Sequence, residues 1–182
     1  QSLRARFPIL NQQNTLAMII LLVSLCSLTG VATLYYLAII PSWLCIILAA
    51  FITSVSHELE HDLIHKQYFS NRPFIHNFMM LTVWLMRPNT VNPWYRRKIH
   101  LHHHKVSGTS QDLEERLVGN GIKSPFVRAL VITDGLLGLL VNTKRFSKEI
   151  SGFKFLRVFN AGFPIATAYF AILYGVIAYY AV

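Results

Sequence analysis

The sequence predicts an all-α fold, a membrane-embedded helical bundle with cytoplasmic or interfacial helices attached. Three observations predict it. The 182-residue chain is 53% hydrophobic and only 14% charged, against about 25% charged in an ordinary soluble domain. Its mean hydropathy is +0.42. Residues 7–56 contain no Asp, Glu, Lys or Arg, and neither do residues 158–182. A membrane span needs about 20 apolar residues. The first stretch is therefore long enough for two spans and a turn, and the second for one more. Buried helices of soluble proteins rarely run so far without a charge.

Taken in order, residues near 15–40 form the first span. Pro41 breaks it, and Ser42 is placed to cap the second helix. That helix crosses the membrane over about residues 43–56 and need not stop there, because nothing between Trp43 and Lys66 is Gly or Pro. A helix of about 24 residues is about 36 Å long. It crosses roughly 30 Å of hydrocarbon and pushes its last turns into the cytoplasm. Asn71, Arg72 and Pro73 mark a break. Phe74 to Met86 is apolar but too short to span, which suits a helix lying in the interface and ended by Pro88. Asn92-Pro93 is a helix start, with Asn as cap and Pro at the first helical position. Ser107 to Ser110, with Gly108, reads as a loop. Ser124-Pro125 opens an amphipathic segment through Val141, and Lys144 to Arg157 is basic. The last span covers about 158–182, with Gly162 and Pro164 inside it. There is no internal repeat, and the whole chain reads as one membrane domain with a histidine region at 57–104.

The net charge is +9, and its placement orients the chain. Arg4 and Arg6 precede the first span, and the other fifteen basic residues lie between Lys66 and Arg157. The turn at Pro41 and Ser42 carries no charge. The positive-inside rule puts the N-terminus and the central region on the cytoplasmic side of a multi-pass protein. Nucleic acid is not the expected partner, because the basic residues flank apolar spans and carry no recognition motif. Anionic lipid headgroups account for them. Cys26 and Cys45 sit within apolar spans and imply neither a disulfide framework nor a zinc–cysteine site. The chain begins with Gln1 and stops within the apolar run Tyr179, Tyr180, Ala181, Val182, so we expect a piece of a longer protein.

All eight histidines lie between His57 and His104. His57, His61 and His65 are spaced four and four, one stripe on a helix. His100, His103 and His104 are spaced three and four, again one face, while His102 points elsewhere. Imidazole is the commonest metal ligand near neutral pH and suits iron, zinc and copper. A lone histidine on such a surface is ordinarily solvated or interfacial, and His76 and His102 are read that way. Two helix-spaced groups are different, because concentrating imidazoles on one face has no packing purpose. They are expected to converge on a metal centre.

His61-Asp62-Leu63-Ile64-His65 resembles the first histidine box, HDxxH, of the membrane fatty acid desaturases. His100-Leu101-His102-His103-His104 contains HxxHH and resembles their second box. The order, the separation of about 35 residues and the preceding membrane hairpin are similar to that family as well. The resemblance covers most of the chain. It implies a site for two non-haem iron ions, with His61, His65, His100, His103 and His104 as ligands and His57, one turn before His61, as a further ligand or neighbour. It also implies a fatty acyl lipid substrate, dioxygen, and an electron donor such as ferredoxin or cytochrome b5. The family's third box has no counterpart here, since no histidine follows His104. The iron site is therefore expected to be incomplete and the chain inactive alone.

The resemblance implies oxidation of an alkyl chain: removal of two hydrogens for a double bond, or oxygen rebound for an alcohol. Ligating histidines usually donate their other N–H to a carboxylate or carbonyl. Glu58, Glu60, Asp62, Asp112, Glu114 and Glu115 are candidates, and Asp62, inside the first box, is favoured. Arg96, Arg97 and Lys98 suit lipid anchoring, an acyl headgroup or an acidic electron donor. An alkane, acyl or carotenoid hydroxylase of the same superfamily is the nearest alternative. A membrane zinc protease is another, since His57-Glu58-Leu59-Glu60-His61 matches HExxH. A metal transporter or sensor with a histidine-rich loop fits less well, because such loops lack helical spacing.

Overall fold

The computed structural model describes residues 7, 11–87 and 90–181. Arg4, Arg6, Pro88 and Val182, used in the sequence reading, lie outside the described residues. Among the described residues all regular secondary structure is helical, with nine α-helices and no strand. The chain divides into two compact units, Gln1–Arg87 and Pro88–Val182.

The first unit holds α1 (Gln13–Tyr36), α2 (Ser42–Ile64) and α3 (Pro73–Leu85). α1 stops before the expected Ile40, and Pro41 does not end it. Ala38 takes φ 56°, its N–H bonds to the Tyr35 carbonyl, and the Ile39 N–H bonds to that of Leu34, both at 2.9 Å. This left-handed closure fills the carbonyls that a helix end leaves open. Pro41 is the extended cap of α2, and Ser42 is its first helical residue, without a side-chain cap bond. α2 then runs unbroken for 23 residues, about 35 Å at 1.5 Å per residue. The same closure ends it: Lys66 takes φ 58°, and its N–H and that of Gln67 bond to the Leu63 and Asp62 carbonyls at 2.9 and 3.1 Å.

α1 and α2 are long and apolar enough to cross a membrane, with mean hydropathy of 2.3 and 1.5 over their most apolar windows. Only 17% and 11% of those windows is buried in protein, so side chains such as Ile46 and Phe51 need lipid around them. Small side chains, Ala17 and Ser24 on α1 and Ser56 on α2, are buried between the elements, as close helix approach in a membrane requires. The Asn14 side chain accepts the Phe69 N–H at 2.7 Å. That bond joins the start of α1 to the loop after α2 and closes the hairpin. α3 buries Met79, Met80 and Val83 against Leu59 and Leu63 of α2 and Ala17 and Leu21 of α1, while Phe74 and Phe78 stay exposed. His76, read from sequence as solvated or interfacial, is instead buried in this core, and its Nδ1 lies 2.9 Å from the Tyr68 carbonyl.

The second unit holds α4 (Pro93–Val106), α5 (Leu113–Leu117), α6 (Pro125–Ile132), α7 (Gly135–Glu149), α8 (Phe155–Gly162) and α9 (Pro164–Ala181). Asn92 caps α4 as expected, accepting from the Trp94 and Tyr95 N–H groups. The single segment expected from Ser124 to Val141 is two helices. Asp134 stops the first by accepting the Leu136 and Leu137 N–H groups at 2.7 and 2.9 Å, which starts α7. The last apolar stretch is not one straight span either. α8 and α9 meet at 57°. Pro164 offers no N–H, and the Gly162 carbonyl turns out of the helix to accept the Asn92 N–H at 2.9 Å. A methyl on Gly162 would press on Val91 and Tyr95, so glycine permits this approach. The core joins Leu117, Leu139, Phe146, Val158 and Phe163.

A buried ion pair lies within the first unit. Arg87 donates to Glu60, whose side chain has no exposed surface while that of Arg87 is 13% exposed. Glu60 is thus an internal ion-pair partner rather than a solvated acid. Removing one member strands a buried charge, at a cost of about 3–5 kcal/mol, whereas an apolar pair of similar volume is often neutral. Arg87→Met is therefore expected to lower unfolding stability in detergent by about 3 kcal/mol or more. The double variant Glu60→Leu/Arg87→Met should recover most of that loss, as read from chemical unfolding curves.

Candidate metal centre

The first unit contributes histidines from the last turns of α2. Helical spacing of four puts His61 and His65 on one side, and their ring centroids are 4.7 Å apart with planes at 61°. Each ring offers a nitrogen within 4.8 Å of a nitrogen of the other. His65 is the helix cap, and its N–H bonds to the His61 carbonyl at 3.2 Å, so α2 sets its backbone direction. His57 is half-buried one turn earlier, and Glu58 beside it is exposed. Asp62, the favoured carboxylate partner, stands 3.8 Å from His61 Nδ1, too far for a hydrogen bond. It accepts instead from the Tyr68 hydroxyl at 2.6 Å. Burial and this carboxylate push the Tyr68 hydroxyl pKa up to about 12.

The second unit contributes α4. His100 is buried, His103 half-buried and His104 exposed. His100 Nδ1 donates to both carboxylate oxygens of Glu114, at 3.0 and 2.8 Å. When neutral, His100 then keeps its lone pair on Nε2, and this atom lies 3.2 Å from Nε2 of His104. Two imidazole nitrogens each about 2.1 Å from one ion stand about 3.0–3.4 Å apart, for angles between octahedral and tetrahedral. The pair fits a shared metal ion. His102 is exposed, away from this pair.

His103 Nδ1 donates to Asp112 at 2.6 Å, and Asp112 is fully buried. This hydrogen bond, opposed by burial, raises the His103 pKa above the usual imidazole value. His103, Asp112 and Glu115 also place ligand atoms within 4.8 Å of one another. A separation of 2.6 Å is shorter than the roughly 3.0 Å edge of a coordination polyhedron. It lies at the short end of charge-assisted hydrogen bonds, which span about 2.5–2.9 Å. Asp112 is therefore an orienting partner of His103 Nδ1, which leaves Nε2 for a ligand. α5 exists because Asp112 also caps it, accepting the Glu115 N–H at 3.2 Å. The sequence reading placed no helix at Leu113–Leu117, although an Asp followed by two Glu is a helix-start pattern.

Two basic side chains precede these histidines on α4. Arg96, one turn before His100, has its pKa lowered by burial and supported by the Glu114 charge. Burial likewise lowers that of Arg97.

The Tyr68 shift carries a sign. A hydroxyl whose pKa is higher in the folded than in the unfolded state adds stability that is complete below the unfolded value of about 10 and is lost as pH rises toward 12. Wild-type stability is therefore expected to fall more steeply than that of Tyr68→Phe from pH about 10 to about 12, as thermal unfolding across that range would show.

Against protein-family models, residues 37–182 match the fatty acid desaturase family. No curated protein and no solved structure matches the chain. The matched region holds both histidine groups and most of the chain, so the chain belongs to the fatty acid desaturase family.

Proposed function

We propose that this chain supplies the ligands of the first two histidine boxes to a non-haem di-iron centre that desaturates fatty acyl chains in the membrane. Family membership supports oxidation of this kind. The observation that carries the metal reading is the His100–His104 nitrogen pair at 3.2 Å with the opposite nitrogen of His100 held by Glu114. The ligand set is His61, His65, His100, His103 and His104, with His57 as a sixth ligand or neighbour. Two iron ions, given dioxygen and electrons from a donor such as ferredoxin or cytochrome b5, supply an oxidant able to break an unactivated alkyl C–H bond. Glu114 and Asp112 fix the tautomers and ring planes of His100 and His103. Asp62 holds the loop after the first box through Tyr68. The positive-inside pattern puts the boxes on the cytoplasmic side. The second unit also has an apolar pocket of about 220 Å³ at the α8–α9 bend, lined by residues including Phe163, Phe170 and Tyr174, a surface suited to alkyl groups.

A hydroxylase of the same superfamily is separated from a desaturase by its product. Lipids from cells expressing the full-length protein are expected to gain a double bond. An alcohol would move the assignment to a hydroxylase, and unchanged acyl chains would sink it. Metal analysis addresses the HExxH alternative, which needs Glu58 as a base although it is exposed: one zinc and no iron would favour a protease. His103→Ala is expected to lower the iron content of the purified protein by at least one site, and a wild-type iron content in that variant would remove His103 from the ligand set.

A further inference from the structure

Two neighbouring residues between α4 and α5 engage in different directions. Asp112 turns to His103. Gln111 turns to the end of α7, where its Nε2 donates to the Glu149 carbonyl at 2.5 Å and its Oε1 accepts the Ser151 N–H at 2.8 Å. One amide side chain thus fills backbone groups where α7 stops, positions that lack intrahelical partners. A second tie lies beside the first. Glu149 receives Arg145 Nε at 2.9 Å and lies 3.5 Å from Arg116 Nη2. Both guanidiniums also donate to the Asn120 carbonyl, at 3.1 and 3.3 Å. The Asn120 amide in turn donates to Glu115 at 2.5 Å.

These ties matter because α5 cannot hold its own position. It has five residues, and isolated helices shorter than about 12 residues are marginal in water. Single exposed ion pairs are worth little. Here, however, the charged groups share acceptors and join the segment to a 15-residue helix whose Leu139 and Phe146 are buried in the unit's core. α7 also approaches closely at Gly138, where a methyl would strike the Leu117 carbonyl.

We infer that the C-terminal turn of α7 is a positioning element for the metal centre. Gln111, backed by Arg116, Arg145 and Glu149, holds the 107–121 segment where Asp112 and Glu114 set the rings of His103 and His100. The inference rests on the metal-centre reading above. The Asp112–His103 bond at 2.6 Å tolerates little movement, since a hydrogen bond is largely lost by about 3.5 Å. Losing a carboxylate or carbonyl that holds a ligating histidine costs about 10–100-fold in metal affinity. Gln111 acts through such a carboxylate, so its loss belongs at the lower end of that range.

Cobalt(II) binding to the chain in lipid nanodiscs tests this. Gln111→Ala and Glu149→Gln are expected to weaken cobalt binding by about tenfold and to shift its visible ligand-field bands. Amide exchange should rise within 107–121 and stay as in wild type in α1 to α3. Lys148→Gln, an exposed neighbour on α7, should change neither affinity nor spectrum. Wild-type affinity and spectrum in both variants would overturn the inference alone and reduce the ties to packing. Loss of protection throughout the second unit would also overturn it, because the ties would then hold the fold rather than the ligands. A wild-type chain that takes up no cobalt would overturn the metal-centre reading and this inference with it.

Discussion

A carboxylate with no exposed surface must have its lone pairs filled by donors, and Asp112 is in that position. One oxygen accepts the Glu115 N–H and starts α5, and the other accepts His103 Nδ1. A single side chain therefore couples the beginning of a helix to the orientation of an imidazole. Glu114, the second residue of that helix, holds the ring of His100 in the same way. The face of α4 that gathers histidines would otherwise be a set of rings free to rotate. Carboxylates from the next element turn it into a set of directed nitrogen atoms.

The first unit solves the same problem by another route. His61 and His65 leave the end of a helix that has already crossed an apolar layer's worth of residues, and the His65 N–H bond to the His61 carbonyl at 3.2 Å keeps the last ring on that helix. The rigidity comes from α2 itself, packed through Leu59 and Leu63 and tied by Glu60 to Arg87. The charge that is buried and the charge that stays near the histidines are consecutive acids on one helix, Glu60 and Asp62. Their different fates follow from the helical angle between them, about 200° for two residues.

The helical class and the apolar hairpin were legible from charge-free apolar length, and the two histidine stripes from helical periodicity, because each is a local property of the chain. So was the Asn92-Pro93 start, because its cap bonds within three residues. What the periodicity did not reveal was where helices stop by tertiary contact. Ala38 and Lys66 close helices in a conformation that non-glycine residues rarely adopt, and no pattern marks either. The α8–α9 bend was signalled by Gly162 and Pro164, yet its angle depends on Asn92, seventy residues earlier in the chain.

The sequence by itself determined that this protein is a helical chain with apolar spans and imidazoles grouped on helix faces, since apolar length and a repeat of three and four residues are local properties. Tertiary structure alone decided which acids serve those imidazoles. Asp62 is adjacent to His61 in the chain but stands 3.8 Å from its Nδ1, beyond hydrogen-bond distance, because neighbours on a helix diverge by about 100°. Asp112 and Glu114 are distant in sequence from the rings they hold, and the turn after Val106 folds them back onto α4. Adjacency along a chain and adjacency in space part company wherever a helix intervenes, and the site was built from the second.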